Sequence, residues 1–207
     1  VRAVATHRFE VNTEPSDKIF LKLNLIEVFR YRGYPTTTIL VSAKDSRMKI
    51  PQALIENLLT TWPLARLATT NVDGSPHQVP IVFAWHSGCF WSPIDGKPKY
   101  KRQPLRVVNA LANPAASILI DSYEEDWSRL WWIRAEIKIS VVELTKASTN
   151  VQETAAEVIG ELKAKYPQYG STEVLREPAT LLSMSPTAWT SWRASESSLQ
   201  RGGGWRR

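Results

Sequence analysis

Residues 64–85 read LARLATTNVDGSPHQVPIVFAW, and this stretch decides the fold because it holds two strand patterns and the turn between them. Residues 64–70 predict a strand, and the Asp73-Gly74 pair at the centre of the following turn is typical of a β-hairpin. Residues 78–85 are almost continuously apolar, which predicts a second strand buried on both faces. Pro80 cannot donate a hydrogen bond to a ladder, so it predicts a bulge or the edge of a sheet.

Further short strands and three amphipathic helices surround this hairpin. Strand patterns cover residues 89–92, 116–121 and 130–144, and a last strand or pair of strands lies within 181–184 and 188–193. Helices are expected at 51–62, 104–112 and 151–165. Six or so strands with three flanking helices predict a mainly β, α+β fold: an antiparallel β-barrel that is closed or nearly closed.

The spacing of apolar residues predicts which face of each element is buried. The long strand alternates, with these side chains inward: Trp131, Ile133, Ala135, Ile137, Ile139 and Val141. The helices are expected to bury residues at three- and four-residue spacings: Leu54, Ile55, Leu58, Leu59 and Trp62 on the first, Leu105, Val108, Leu111 and Ala112 on the second, and Val151, Ala155, Val158, Ile159 and Leu162 on the third.

Length and charge distribution bound the class of protein. The 207 residues predict one domain, at 48–193, with an N-terminal extension at 1–47 and a flexible basic tail at 194–207. The first methionine is Met48, so the extension is expected to be a mobile or non-native arm, or else a segment that packs on the domain. The net charge of +6 comes from the two ends, because residues 48–192 hold 14 basic and 14 acidic side chains. A neutral body argues against a nucleic-acid partner.

The remaining composition excludes several other classes. The single cysteine, Cys89, excludes an internal disulfide framework and fits a reducing, cytoplasmic location. No apolar run approaches the roughly 20 residues that span a membrane, so no membrane association is expected. The three histidines have no metal-ligand spacing, and no Ser-His-Asp or Cys-His pattern is present. The sequence therefore predicts neither a metal site nor a catalytic side chain.

A basic stretch follows the third strand pattern and leads into the second helix. Residues 95–106 read DGKPKYKRQPLR, with five cations: Lys97, Lys99, Lys101, Arg102 and Arg106. Cations that precede a helix N-terminus suit a phosphate group, because the first backbone amides and the helix dipole attract an anion. Pro104 suits the first turn of that helix, and Lys101 is expected to face solvent. The alternative is a solvated basic loop without a ligand.

The ordered set ARLATTNVDGSPHQVPIVFA (65–84), DGKPK (95–99) and LANPAASILID (111–121) resembles the pyridoxamine 5′-phosphate oxidase-like split β-barrel flavoproteins. DWSRLWWIRA (126–135), YPQY (166–169) and WTSW (189–192) resemble the branch of that family that uses the deazaflavin coenzyme F-420. The resemblance implies a homodimer with the cofactor at the subunit interface, its phosphate against the basic stretch and its ring system across the barrel wall. The loop and helix between the third and fourth strands are longer than in the simplest relatives, which affects the phosphate-binding register.

The resemblance also implies a set of site residues. Those expected to bind the cofactor are Lys97, Lys99, Arg102, Arg106, Ser92, Thr69, Val79, Pro80, Ile81 and Trp192. Those expected in the substrate pocket are Trp127, Arg129 and His77. Each has a simpler alternative: Val79–81 as ordinary core, His77 as a residue at the turn exit, and Trp127 as a cap on the barrel.

The function that follows is an oxidoreductase in which reduced F-420 gives hydride to an unsaturated small molecule. One alternative is an FMN-binding oxidoreductase of the same fold, since both cofactors carry a phosphate and a tricyclic ring. Another is a non-catalytic protein that binds a flavin or a tetrapyrrole.

Overall fold

The computed structural model of the protein describes residues 49–96 and 103–199. Three α-helices and seven β-strands make up this part of the chain: α1 (Gln52–Thr61), β1 (Ala65–Thr70), β2 (Pro76–Ile81), β3 (Ala84–His86), β4 (Cys89–Pro93), α2 (Leu105–Ala112), β5 (Ala115–Ser122), β6 (Trp131–Glu143), α3 (Thr149–Lys165) and β7 (Thr180–Arg193). None of these helices is long and apolar enough to cross a membrane. The predicted extension at 1–47 and most of the predicted basic tail lie outside the described residues.

The seven strands form one antiparallel sheet in the order β2-β1-β5-β6-β7-β4-β3. The predicted mainly β, α+β architecture is therefore confirmed. β2 and β3 follow each other in the chain yet lie at opposite edges of the sheet, and no ladder joins them within the described residues. Of the two expected forms, a closed and a nearly closed barrel, the closed form is excluded, because the sheet is split between β2 and β3.

The split lies at the corner between β2 and β3, where the backbone of Phe83 bonds to a side chain instead of a strand. The Phe83 N–H donates to the Tyr166 hydroxyl at 3.0 Å. That hydroxyl lies 2.9 Å from the Phe83 carbonyl and 3.1 Å from the Pro63 carbonyl, and its proton is donated to one of them. Phe83 is fully buried, so its polar backbone needs these partners.

Tyr166→Phe is expected to lower the free energy of unfolding by about 1–3 kcal/mol, because it leaves the buried Phe83 N–H without a partner. Urea denaturation of the two proteins measures this difference. Tyr123→Phe is the matched control, since Tyr123 is 77% exposed and its change should stay within about 0.5 kcal/mol. Equal losses in the two variants would contradict the assigned role of the Tyr166 hydroxyl.

Two apolar clusters lie on either side of the β4 and β7 strands. Phe90 and Leu182 belong to the larger cluster, which α1, α2, β1, β5 and β6 complete. Their neighbours in sequence, Trp91 and Leu181, belong to the smaller cluster beneath α3. Consecutive side chains on a strand point to opposite faces, so both faces of these strands are buried.

One sequence-based expectation about strands is wrong. Residues 78–85 do not form one strand buried on both faces, because the chain turns at Val82 and Phe83, and β2 alternates between exposed and partly buried positions. An edge strand has a neighbour on one side only, and β2 is an edge strand, as Pro80 predicts. The last element is one continuous strand, β7, whose register shifts at Thr187 opposite Glu136 and Ile137.

Candidate functional site

Helix α2 carries two polar side chains, Arg106 and Asn109, on the side that faces the protein. Val107, Asn109 and Ala110 are buried, and Arg106 is half-buried. The prediction that Leu105, Val108 and Leu111 with Ala112 face the core is wrong, because Leu105 and Leu111 are 55% and 65% exposed. The helix is rotated so that its polar residues reach partners inside the protein, and its larger apolar residues face outward.

The chain that enters the basic stretch is fixed to the segment before β7. The backbone N–H groups of Ile94 and Gly96 donate to the carbonyls of Thr180 and Glu173 at 3.0 Å each, and the Arg176 N–H donates to the Ile94 carbonyl at 2.8 Å. A Cβ on Gly96 would lie 3.2 Å from the Glu173 Cβ, so this close approach leaves little room for a side chain and favours glycine. The start of the basic stretch is therefore held in one place.

A buried carboxylate and two guanidinium groups lie at the junction of β4, α2 and this segment. Asp95 is 2% exposed and accepts a hydrogen bond from the Tyr169 hydroxyl at 3.1 Å. Burial raises the pKa of Tyr169, and the negative charge of Asp95 raises it further. Burial lowers the pKa of Arg106, an effect that Asp95 opposes and the nearby Arg176 reinforces. The Nε atom of Arg106 is buried and has no hydrogen-bond partner among the described residues.

A groove of about 550 Å³ opens beside this cluster and reaches the first turn of α2. Its described lining consists of Ile94, Gln103, Pro104, Val107, Arg176, Glu177, Pro178 and Thr180. The N-cap of α2 is Pro104, and no side chain caps the helix. Its first backbone N–H groups and the positive end of its dipole are therefore free of side-chain caps and can bind a ligand. The uncapped helix end and Arg176 at this groove fit a phosphate-bearing cofactor.

A second polar group links the other end of α2 to the β1–β2 hairpin. The Asn109 Nδ2 donates to Thr69 Oγ1 at 3.0 Å and to Asn71 Oδ1 at 2.9 Å. Thr69 Oγ1 lies 3.2 Å from His77 Nδ1, since the two residues are paired across β1 and β2. Helix α2 therefore connects the groove at its N-terminus to the inner face of the hairpin.

The remaining predicted residues occupy several parts of the sheet. Val79 and Ile81 share the face of β2 that carries His77, whereas Pro80 is exposed on the opposite face. Ser92 is 1% exposed on β4. Lys97, Lys99 and Arg102 lie outside the described residues, so their positions stay predictions.

Trp127, Arg129 and Trp192 lie toward a different end of the sheet from Thr69. Trp127 is 70% exposed on the β5–β6 connection, where Arg129 forms an ion pair with Glu124 at 3.0 Å. Trp192 pairs with Trp132, which pairs with Asp121 of β5. The neighbour of Thr69, Ala68, pairs with Ser117 of β5, four residues or about 13 Å away along that strand. Within one chain the structure therefore does not bring Trp192 together with the hairpin residues.

Sequence reasoning did not assign a site role to Asp95, Asn109, Tyr169 or Arg176. One local signal existed for Asn109, because it follows Arg106 by three residues and therefore shares its helix face. Arg176 and Tyr169 come from a segment about 70–80 positions further along the chain, and no local pattern connects them to the basic stretch.

The split seven-stranded sheet with its three helices is the split-barrel fold of the pyridoxamine 5′-phosphate oxidase-like proteins, as the sequence predicts. A conserved hypothetical protein of Mycobacterium tuberculosis superposes with a TM-score of 0.55 at 16% identity, over 77% of this chain and 93% of that one. A FAD-binding protein of Mesorhizobium loti superposes with a TM-score of 0.53 at 15% identity, over 72% and 96% of the two chains. At these identities the likeness shows the fold alone. No protein-family model matches the sequence, and no curated protein is significantly similar to it.

Proposed function

We propose that the protein is an oxidoreductase that binds a phosphate-bearing flavin-type cofactor, F-420 in the first place and FMN as the alternative. The observation that carries this proposal is the uncapped N-terminus of α2, which has Arg106 in its first turn and borders the groove lined by Arg176. The cations of 97–102 precede this helix in the sequence. When bound, either cofactor would supply the hydride chemistry, with an unsaturated small molecule as the acceptor. The protein's own residues bind, orient and shield it.

The cationic end of the groove would hold the cofactor phosphate. Guanidinium groups recognise phosphate oxygens in a planar, two-point geometry, whereas lysine supplies a point charge. Arg106 is held in place by its burial beside Asp95, and the backbone bonds of Ile94 and Gly96 hold the chain directly before residue 97. A preorganised cation loses little conformational entropy when the anion binds.

The inner face of the β1–β2 hairpin would face the cofactor ring. His77 and Val79 present one polar and one apolar side chain that are only partly buried on this face, next to Ile81 in the core, a combination typical of sites for flat, partly polar ligands. Backbone groups of the edge strand β2 are available for hydrogen bonds on the side away from β1.

The outer face of α2 supports the proposal that two copies of the chain associate. Leu105, Val108 and Leu111 expose 55%, 36% and 65% of their surface on one face of a short helix. Burying such a face stabilises an interface by about 25 cal/mol per Å² of apolar surface removed from water. Because α2 also borders the groove, the interface would lie beside the cofactor, and Trp192 would reach it from the partner subunit.

Two observations support a flavin-type cofactor and, within that class, F-420. One structural neighbour is a FAD-binding protein. The stretch DWSRLWWIRA at 126–135 resembles the F-420 branch of the family. In the structure it forms the turn that carries Trp127 and Arg129 and the start of β6, the region proposed to shape the substrate side of the pocket.

Titrating the purified full-length chain with F-420 and with FMN tests the proposal, with the visible absorbance of each coenzyme as the readout. F-420 is expected to bind at least about tenfold more tightly, which corresponds to about 1.4 kcal/mol. Tighter FMN binding would shift the assignment to the alternative cofactor. Failure of both coenzymes to bind would contradict the proposal, and binding without turnover of any unsaturated acceptor would favour the non-catalytic alternative.

A further inference from the structure

Five hydrogen-bonded side chains connect the tip of the β1–β2 hairpin to His77. Ser75 Oγ donates to Asp73 Oδ1 at 2.6 Å, and Asn71 Nδ2 donates to Ser75 Oγ at 3.0 Å. Asn109 then joins Asn71 to Thr69, and Thr69 contacts Nδ1 of His77. This series is called the hairpin relay below: Asp73, Ser75, Asn71, Asn109, Thr69 and His77.

The direction of every bond in the hairpin relay follows from its first member. An ionised carboxylate only accepts hydrogen bonds, and the bonds from Ser75 lower the pKa of Asp73, which keeps it ionised. The Ser75 hydroxyl therefore donates its proton to Asp73, and the Ser75 oxygen accepts a hydrogen bond from the Asn71 amide nitrogen. The Asn71 oxygen then faces Asn109, so Asn109 must present its NH₂ group.

The second proton of that NH₂ group fixes the histidine. It is donated to Thr69 Oγ1, so the one Thr69 hydroxyl proton remains for Nδ1 of His77. Nδ1 then accepts, and the neutral imidazole carries its proton on Nε2, since the bond made by one ring nitrogen sets the state of the other. Thr69 and Asn109 are only 4% and 2% exposed. Reversing these bonds would leave buried polar groups unpaired.

The protonated nitrogen of His77 is available to a ligand. His77 is half-buried at the edge of the sheet, and among the described residues no partner is found for its Nε2 atom. We propose that Asn109 is a positioning residue that holds His77 as the Nε2–H tautomer, and that this N–H donates a hydrogen bond to an acceptor atom of a heteroaromatic ring system bound against the inner face of β2. The ligand half of this inference rests on the proposed function; the tautomer half does not.

Nitrogen-15 NMR of the histidine-labelled, ligand-free full chain tests the tautomer half at about pH 9, above the ordinary titration range of histidine. The sequence has three histidines, and His77→Gln identifies the signals of His77 by removing them. We expect the wild-type proton on Nε2. A proton on Nδ1 would overturn the inference, whether or not any variant folds.

Asn109→Asp tests the positioning role, because it replaces a donor by an isosteric acceptor. Thr69 must then donate to the new carboxylate and accept from His77, so the proton is expected to move to Nδ1. Asn113→Asp is the matched control on the same helix, since Asn113 is exposed and its side-chain oxygen only accepts, from the Ala115 N–H at 3.0 Å. A folded Asn109→Asp protein that keeps the proton on Nε2, or an Asn113→Asp protein that moves it, would refute the role of Asn109.

Coenzyme titrations test the ligand half. His77→Phe is expected to bind F-420 and FMN about tenfold more weakly than wild type, because one hydrogen bond is lost, and His77→Gln, which keeps an N–H donor, within about threefold of wild type. Equal affinities of His77→Phe and wild type would refute the hydrogen bond while leaving the proposed function intact. If wild type binds neither coenzyme, the ligand half falls with the proposed function, and the NMR result still decides the tautomer half.

Discussion

Replacing Lys99 and Arg102 together with alanine is expected to raise the dissociation constant of the cofactor roughly 10²- to 10⁴-fold. Each hydrogen bond to a charged group contributes about 1.5–3 kcal/mol, so two of them contribute about 3–6 kcal/mol. The two residues belong to the basic stretch that leads into α2, where Arg176 and the uncapped helix end border the groove and Arg106 lies in the first turn of the helix. The phosphate is the part of the ligand that would lose its partners, so F-420 and FMN should be affected alike.

The fold should survive this double substitution, because the buried contacts of the junction come from Asp95, Tyr169 and Arg106. Lys146→Ala with Lys163→Ala is the matched control, since it removes the same charge from two exposed positions, one just before α3 and one in its last turn. Coenzyme titration followed by absorbance measures both proteins. An unchanged affinity in the Lys99 and Arg102 variant, or an equal loss in the control, would show that the basic stretch is not the phosphate site.

The parts of the fold that depend on local alternation could be predicted from the sequence. In β6, Trp131, Ile133, Ala135, Ile137 and Ile139 are buried, as expected from their spacing. This strand lies in the middle of the sheet, between β5 and β7, so one face of it meets the core along most of its length. The apolar spacing of α3 is also confirmed, because one face of this helix meets the core: Ala155, Val158 and Leu162 are buried.

The features of the fold that could not be predicted depend on contacts between residues far apart in the sequence. The strand is interrupted between β2 and β3 because the Tyr166 hydroxyl, 83 positions away, accepts a hydrogen bond from the Phe83 N–H. Helix α2 turns its polar residues inward because Asn109 binds Thr69, 40 positions away. Apolar periodicity depends only on residues close together in the sequence. On periodicity alone, the face with Leu105, Val108 and Leu111 was expected to be buried rather than the face with Asn109.

The candidate site, too, could be predicted from the sequence only where its residues are close together in the chain. The basic stretch and its helix could be found because cations, proline and helix pattern follow each other within twelve residues. The groove beside it could not, because Arg176 and Thr180 reach it through backbone bonds to Ile94. Buried polar contacts of this kind produce no periodic pattern in the sequence, since each depends on one matched partner.

Lys165, at the C-terminus of α3, is a half-buried cation that no ligand proposal uses. Its Nζ donates to the Leu59 carbonyl at 3.2 Å and lies 3.8 Å from the centre of the Phe83 ring. Both contacts favour the charged ammonium. Burial acts in the opposite direction and outweighs them together with the charge of Glu161, so the pKa of Lys165 falls to about 7.

The pKa of Lys165 makes stability depend on pH in a defined window. Below about pH 7 the lysine is protonated in both the folded and the unfolded chain, and its contribution does not change with pH. Between about 7 and the ordinary value of 10.5, the unfolded chain binds the proton and the folded chain does not. The free energy of unfolding therefore rises with pH in this window, by up to about 1.4 kcal/mol per pH unit.

Lys165→Met should remove this dependence, because methionine keeps most of the apolar stem and cannot bind a proton. Relative to the variant, wild type is expected to gain about 2–3 kcal/mol of unfolding free energy between pH 7 and pH 9, the slope of one titrating group over two pH units. Urea denaturation at several pH values measures the difference, in which the titration of all other groups cancels. Lys163→Met, two residues earlier and exposed on the same helix, should differ from wild type by a constant amount. A constant difference for Lys165→Met as well would mean that Lys165 stays charged in the folded protein, and that the Phe83 ring and the Leu59 carbonyl outweigh its burial.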